Sequence, residues 1–215
     1  MTTLGIIGSG HIGSNVARAA VAAGYDVLIS NSRGPDTLGD LVAELGPRAT
    51  AVHARDAALK GDLVLVAVPL GKIDQLPLEQ LRGKVVMDAN NYYPQRDGRI
   101  AALDANRKTT SELLQDLLPA SHVVKAFNSI YARQIPTDIA PAGTPGRRAI
   151  PIASNHPEAT HLVASFLDTI GYDAHDMGPL AESWRVERDT PTYGVPTTAA
   201  EYEEILPGVE RVQQV

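Results

Sequence analysis

Apolar residues recur along this chain in two rhythms, short unbroken runs and stripes at helical spacing, and the two alternate through most of its length. The first run holds Leu4, Ile6 and Ile7 and ends in Gly8-Ser9-Gly10-His11-Ile12-Gly13. A helical stripe follows, with Ile12, Val16, Ala19, Ala20 and Ala23 on one face and Gly24 as its stop. Val27-Leu28-Ile29 is the second run and ends at Ser30-Asn31-Ser32-Arg33. Thr37 to Leu45 predicts a helix with Thr37 as N-cap and Gly46-Pro47 as its end. Arg48 to His53 reads as a weak strand and Asp56 to Leu59 as one helical turn. Leu63 to Val68 is apolar throughout and rich in β-branched residues, the pattern of a central parallel strand covered on both faces. Pro69 closes it, because a proline has no N–H for the ladder. Lys84 to Asn90 is another strand.

The second half repeats the alternation. Pro94 to Arg99 is a polar turn, Thr109 to Leu118 a helix, and His122 to Ile130 a strand leading into a loop. Pro136 to Gly146 is a loop or flap. Arg148 to Ala153 is a strand, and Pro157 to Ile170 is the clearest helix, with proline at its first position and Gly171 as its cap. Asp173 to Asp176 is a last strand, and Met177-Gly178-Pro179-Leu180 turns into a brief helical segment. From Asp189 onward the pattern predicts an extended tail with at most a turn of helix over Ala199 to Ile205. Tyr193, Tyr202, Val209 and Val212 give that tail a reason to pack on the body or on a second subunit.

Strand, glycine turn, helix and strand over Leu4 to Arg33 form a βαβ unit with the dinucleotide fingerprint. Gly8 allows the tight turn, Gly10 lets backbone approach a pyrophosphate, and Gly13 lets the helix pack closely. The phosphates then meet free N–H groups at a helix N-terminus. A site for NAD usually has a carboxylate at the end of the second strand. Here Asn31-Ser32-Arg33 stands there, and Asp36 lies too far on, beyond Gly34-Pro35. A hydroxyl and a guanidinium suit a 2′-phosphate, so NADP(H) is favoured over NAD(H). The fold expected is α/β, a Rossmann-type doubly wound, mostly parallel sheet with helices on both faces and a short C-terminal extension. Residues 1–180 form the NADP-binding domain and residues 181–215 the extension.

Composition narrows the setting. The net charge of −6 over 215 residues gives no support to a nucleic-acid surface. The absence of cysteine removes disulfides and thiol chemistry. Neither a signal peptide nor an apolar run of membrane-spanning length is legible, so a cytoplasmic protein without a membrane partner is expected. His156 and His161 are five apart, the wrong offset for a metal-binding helix pair, and no metal site is expected.

The glycine turn, Asn31-Ser32-Arg33, Val68-Pro69, Lys125-Ala126-Phe127-Asn128-Ser129-Ile130 and Met177-Gly178-Pro179-Leu180 together carry a resemblance. Residues 3 to 185 resemble the NADPH-dependent reductase family typified by coenzyme F-420:NADP oxidoreductase, and also the reductase domain of STEAP ferric reductases. The resemblance implies that Ser32 and Arg33 hold the 2′-phosphate and that Val68 and Pro69 pack along the cofactor. It implies an acceptor pocket at Asn128, Ile130 and Leu180, and a cytoplasmic homodimer. The cofactor-binding set expected is Gly8, Ser9, Gly10, His11, Ile12, Gly13, Asn31, Ser32, Arg33, Val68, Pro69 and Asn90. Two departures stand out: deazaflavin reductases often carry His where Asn128 aligns, and the chain has a short tail in place of their C-terminal helices.

Hydride transfer between flat rings requires position and dryness more than side-chain chemistry, so no catalytic residue is assigned. Tyr92, Tyr93, Tyr131 and Lys125 are the proton donors at hand for a carbonyl or imine acceptor. None of these tyrosines has a lysine four places on; packing is the simpler role for them, and an exposed strand-end amine the simpler one for Lys125. Trp184 reads as a packing anchor, and His11 as either a cofactor contact or a solvated loop residue. Three functions follow: hydride transfer from NADPH to coenzyme F-420 or a flavin-like acceptor, reduction of a small carbonyl or imine, and NADP(H) sensing without turnover.

Overall fold

A computed structural model describes residues 2–213. The alternating runs and stripes become β1 (Thr3–Ile7), α1 (His11–Ala22), β2 (Asp26–Ser30), α2 (Gly39–Leu45), β3 (Ala49–Ala51), α3 (Ala54–Lys60), β4 (Leu63–Val66) and α4 (Leu78–Leu81). The chain continues through β5 (Val85–Asp88), α5 (Pro94–Asp97), α6 (Ala101–Asp104), α7 (Thr110–Leu117), β6 (His122–Lys125), β7 (Ala149–Ser154), α8 (Pro157–Ile170), β8 (Asp173–Asp176) and α9 (Ala199–Ile205). The sheet has eight strands in the order β3-β2-β1-β4-β5-β6-β7-β8. Strands β1 to β6 are all parallel, β7 runs antiparallel to β6, and β8 runs parallel to β7. The first six follow the order of a doubly wound dinucleotide-binding sheet, so the fold is the Rossmann-like α/β architecture expected.

Successive residues of a strand face opposite sides, and both sides here are apolar. Ile6, Leu65, Met87 and Val124 join Val16 of α1 and Val163, Phe166 and Leu167 of α8 in one core. Val64, Val66, Val86 and Val123 join Ala57 and Ala58 of α3, Leu81 of α4 and Leu114 of α7 in the other. Helix α3 lies against β1 so closely that a Cβ on Gly5 would stand 2.1 Å from the Ala57 carbonyl oxygen. Only glycine fits there.

The boundaries shift where local bonding competes with propensity. The second helix begins with a 3-10 turn at Pro35–Leu38, so Thr37 lies inside that turn and does not cap α2. Its hydroxyl donates to the Gly34 carbonyl and accepts from Asn31 Nδ2. The single turn expected at residues 56–59 is the longer α3, and the polar turn expected at 94–99 contains α5. Strand β6 ends at Lys125 because Phe127, fully buried, takes a left-handed φ of 62°. Few non-glycine residues adopt that conformation.

The C-terminal segment packs on the body. Tyr202, Leu206 and Val209 bury with Ala149 and Val186, with Met177 and Trp184 packed beside them. Thr198 and Glu201 form a capping box at the start of α9. Arg211 donates to the carbonyls of Asn106 and Lys108, whereas Val212 remains exposed. Residues 1, 214 and 215 of the two expected domains lie outside the described residues.

Candidate dinucleotide and acceptor site

The order of strands reverses between β1 and β4, and the crevice beyond their carboxyl ends is where open α/β sheets bind ligands. A cleft of about 600 Å³ lies there. Gly8, Ser9 and Gly10 form one wall, Asn31 and Ser32 another, and Val68 and Pro69 a third. The turn has little freedom. Gly8 has a φ of 111°, and its Cβ would meet the Ala67 carbonyl oxygen at 2.3 Å. A Cβ on Gly13 would stand 1.9 Å from the Gly8 carbonyl oxygen. At Gly10, by contrast, a Cβ would meet nothing within 4 Å, so this glycine borders open space.

Helix α1 starts at that opening with Gly10 as N-cap, no side-chain cap and no acidic residue in its first turn. Its free N–H groups and dipole suit a phosphate. Ser14 Oγ donates to the Ser9 carbonyl, and the Gly8 N–H donates to the Ser30 carbonyl, tying the turn to the end of β2. Ser32 and Arg33 are exposed, and among the described residues their side chains make no hydrogen bond or ion pair. The Arg33 N–H is held by Asn31 Oδ1 at 3.0 Å, which fixes the backbone while leaving the guanidinium free. His11 is exposed, Ile12 is half-buried beside the α1 core, and neither lines the cleft.

Asn90 stands behind the cleft. It is buried, and its Oδ1 accepts from the Val68 N–H at 3.2 Å, so it supports the wall rather than lining it. Lys125 lies beneath. The exposed amine expected from the sequence is wrong: Lys125 is fully buried. Its Nζ donates to the Asn90 carbonyl at 2.6 Å and to Thr110 Oγ1 at 2.8 Å, and it faces Asp88 Oδ2 at 3.4 Å. Asp88 also accepts from Ser111 Oγ and from the Asn90 N–H. Glu187 Oε1 accepts both the Thr110 N–H and Thr110 Oγ1–H. A charge buried this way is held by partners on β5, α7 and the C-terminal segment, which compensates its desolvation.

The other end of the carboxyl edge is closed. Asn128 Nδ2 donates to the Val186 carbonyl at 2.8 Å and to Asn91 Oδ1 at 3.3 Å. Asn91 Nδ2 donates to the Asn128 carbonyl and to the Tyr193 hydroxyl, and the Tyr193 and Tyr93 hydroxyls lie 3.0 Å apart. Burial pushes the Tyr193 phenol up, and the bond to Tyr93 adds to the rise. The Gly194 N–H donates to the Ser129 carbonyl. Ile130 and Leu180 are both enclosed, in two different cores. Of the residues expected to form an acceptor pocket, Asn128 is therefore tied to the chain's own segment from Val186 to Gly194, while Ile130 and Leu180 are enclosed by the two cores. Two buried polar atoms near this edge, Asn90 Nδ2 and Asn128 Oδ1, have no partner among the described residues.

The sequence reading missed Lys72, Gln75, Leu76 and Ala54, which complete the cleft. Their only signal was position, in the turn after β4 and at the first residue of α3. It also missed Asp97, whose buried carboxylate accepts from the Tyr93 and Gly71 N–H groups and pairs with Arg96. Burial alone would raise its pKa, but Arg96 and those N–H groups outweigh it and hold the carboxyl below its ordinary value.

Residues 3–92 match the model of the family described as NADP oxidoreductase, coenzyme F420-dependent. The hypothetical protein SMa0349 of Sinorhizobium meliloti is 33% identical with a TM-score of 0.75, over 93% of this chain and 94% of that one. Metalloreductase STEAP3 of Rattus norvegicus is 32% identical over 206 residues, which are 92% of this chain and only 39% of that protein. A protein of Arthrobacter sp. FB24, provisionally named an F420-dependent NADP reductase, has a TM-score of 0.72 over 85% of this chain and 87% of that one. At 24% identity it speaks for the fold alone. With its first 90 residues or so matching the family model and its length matching a solved relative almost end to end, this chain belongs to the family of coenzyme F420-dependent NADP oxidoreductases.

Proposed function

We propose that the protein is an NADP(H)-dependent oxidoreductase that passes hydride between NADP(H) and a flat, flavin-like acceptor, with coenzyme F-420 or a flavin as second substrate. The observation that carries the cofactor is the cleft at the strand reversal, open at Gly10 and edged by the unpaired side chain of Ser32, with the exposed, unpaired Arg33 next to it in the chain and outside the cleft lining. When bound, the nicotinamide supplies or accepts the hydride. The chain's own part is placement. The turn from Gly8 to Gly13 and the start of α1 hold the pyrophosphate, and Ser32 with Arg33 holds the 2′-phosphate. Val68 and Pro69 wall the cleft, and Asn90 fixes Val68. His11, exposed at the first position of α1, would reach a phosphate or ribose from outside the cleft lining. Asn128, with Ile130 and Leu180 in the two flanking cores, marks where an acceptor would be received once the segment bonded to Asn128 moves aside. A cytoplasmic homodimer, without nucleic-acid or membrane partners, belongs to the same reading; among the described residues no helix is long and apolar enough to cross a membrane.

Mixing purified protein with NADPH and coenzyme F-420, and following the absorbance of both, tests the proposal. Loss of NADPH in step with reduction of the acceptor is expected. Absence of turnover with F-420, flavins and quinones would sink it. The closure of the carboxyl edge by Val186 to Gly194 favours a second reading, an NADP(H)-binding protein that signals occupancy without turnover. Saturable NADPH binding with no hydride loss to any acceptor would select it.

A further inference from the structure

The cleft that Ser32 lines is also bordered by the 3-10 segment Leu70–Gln75. Two polar side chains of that segment, Lys72 and Gln75, line the cleft together with Asn31 and Ser32. Lys72 is exposed and has no ion pair or hydrogen bond from its ammonium among the described residues. Gln75 likewise has no partner for its amide. Elsewhere this chain pairs its cations readily, as with Arg18 and Glu44 or Arg48 and Asp26. The backbone carrying Lys72 is fixed. The Gly71 N–H donates to the buried Asp97 carboxylate, and a Cβ on Gly71 would stand 2.9 Å from the Asp97 carbonyl oxygen. The Lys72 N–H closes the turn on the Pro69 carbonyl. Ala54, Val68 and Leu76 supply apolar surface in the same cleft, and apolar surface with a few polar groups is what an adenosine needs.

We infer that Lys72 is a specificity-determining residue, which closes on the 2′-phosphate of NADP(H) from the turn after β4, across the cleft it shares with Ser32. The inference rests on the NADP(H) reading above and deepens it. In that arrangement the phosphate is gripped from two separate elements, the end of β2 and the turn after β4. Lys72 is a point charge on a flexible stem, so it supplies attraction, while Arg33 supplies the fork. Because the turn is already fixed, little backbone order is lost on binding.

The test is calorimetric binding of four probes, NADPH, NADH, 2′-AMP and 5′-AMP, to the full chain and to Lys72→Ala and Lys72→Arg at low and high salt. Lys72→Ala should weaken NADPH and 2′-AMP by about tenfold at low salt, the scale of one partly screened charged hydrogen bond, and NADH and 5′-AMP by less than about twofold. Lys72→Arg should restore most of the affinity, and the difference between variants should shrink in high salt. Equal loss for all four probes would mean that Lys72 serves another phosphate, and no loss for any would mean that it serves none; either overturns the inference. Wild-type protein that bound neither NADPH nor 2′-AMP would overturn the NADP(H) reading itself, which separates the two failures.

Discussion

The two ends of the carboxyl edge are built on opposite terms. At the dinucleotide end, between β1 and β4, Ser32, Arg33 and Lys72 are exposed and unpaired, and the backbone opens at Gly10. At the other end, beyond β5 and β6, the polar groups spend themselves on one another: Asn91 with Asn128, Tyr93 with Tyr193, Asn128 with Val186. Unpaired cations on a rigid frame await an anion from solvent. A closed hydrogen-bond network must instead be opened before anything enters. The difference teaches that the open end is prepared in advance for an anion, whereas access for the acceptor ring of the proposed function would depend on displacing the chain's own segment at Asn128.

Lys125 supports both ends, since it bonds Asn90 on one side and, through Thr110, Glu187 on the other. Replacing it with alanine leaves Asp88 buried without its cation, and unfolding in urea should report a loss of ~3–5 kcal/mol. A loss below about 1 kcal/mol would show that the two ends do not share this support. Arg33→Ala should act on the open end alone. NADPH affinity should fall by about tenfold or more while NADH changes less than about twofold and the unfolding midpoint stays put. Equal losses for both nucleotides would erase the phosphate assignment. Tyr193→Phe should act on the closed end alone, costing ~0.5–1.5 kcal/mol of stability with nucleotide affinity unchanged. A nucleotide effect as large as that of Arg33→Ala would merge the two regions.

The smallest effect expected is on pH dependence where α9 packs against β8. His175 stacks on Tyr202 of α9, with ring centroids 5.4 Å apart. Burial lowers its pKa below 6.5, against the opposing pull of Glu203 and Asp176. The unfolded chain therefore takes up this proton first as pH falls. The stability contribution is complete above the unfolded value and is lost as pH drops through the folded one. Unfolding followed from about pH 7.5 to about pH 5 should show a shallower decline in His175→Phe than in wild type. An unchanged slope would remove His175 from the account.

The dinucleotide end was legible in the sequence because its determinants are local. The run Leu63 to Val66, the glycine turn and the stripe of α8 each carry their structure within a few residues. The closed end was not legible. The burial of Lys125 is decided by Asp88, 37 residues earlier, and the course of residues 186–194 by bonds to Asn128 and Ser129. Such partners leave no periodicity to read. Helices α5 and α6 are four residues each, too short for a stripe, and Gly5 looked like an ordinary strand residue until α3 lay against it.

Phe127 is a case of local frustration. Its backbone, at a φ of 62°, asks for glycine or asparagine, while its ring fills the core 6.5 Å from that of Phe166. Glycine would relax the first demand and empty the core; a β-branched residue would meet neither. A residue held in this region costs about 1–3 kcal/mol and persists only where its surroundings overdetermine it. The conflict falls directly before Asn128, so the tension is stored at the point where the chain turns out of the sheet to meet its own C-terminal segment. A sequence optimised for stability alone would remove this conflict, and with it the angle at which Asn128 is presented.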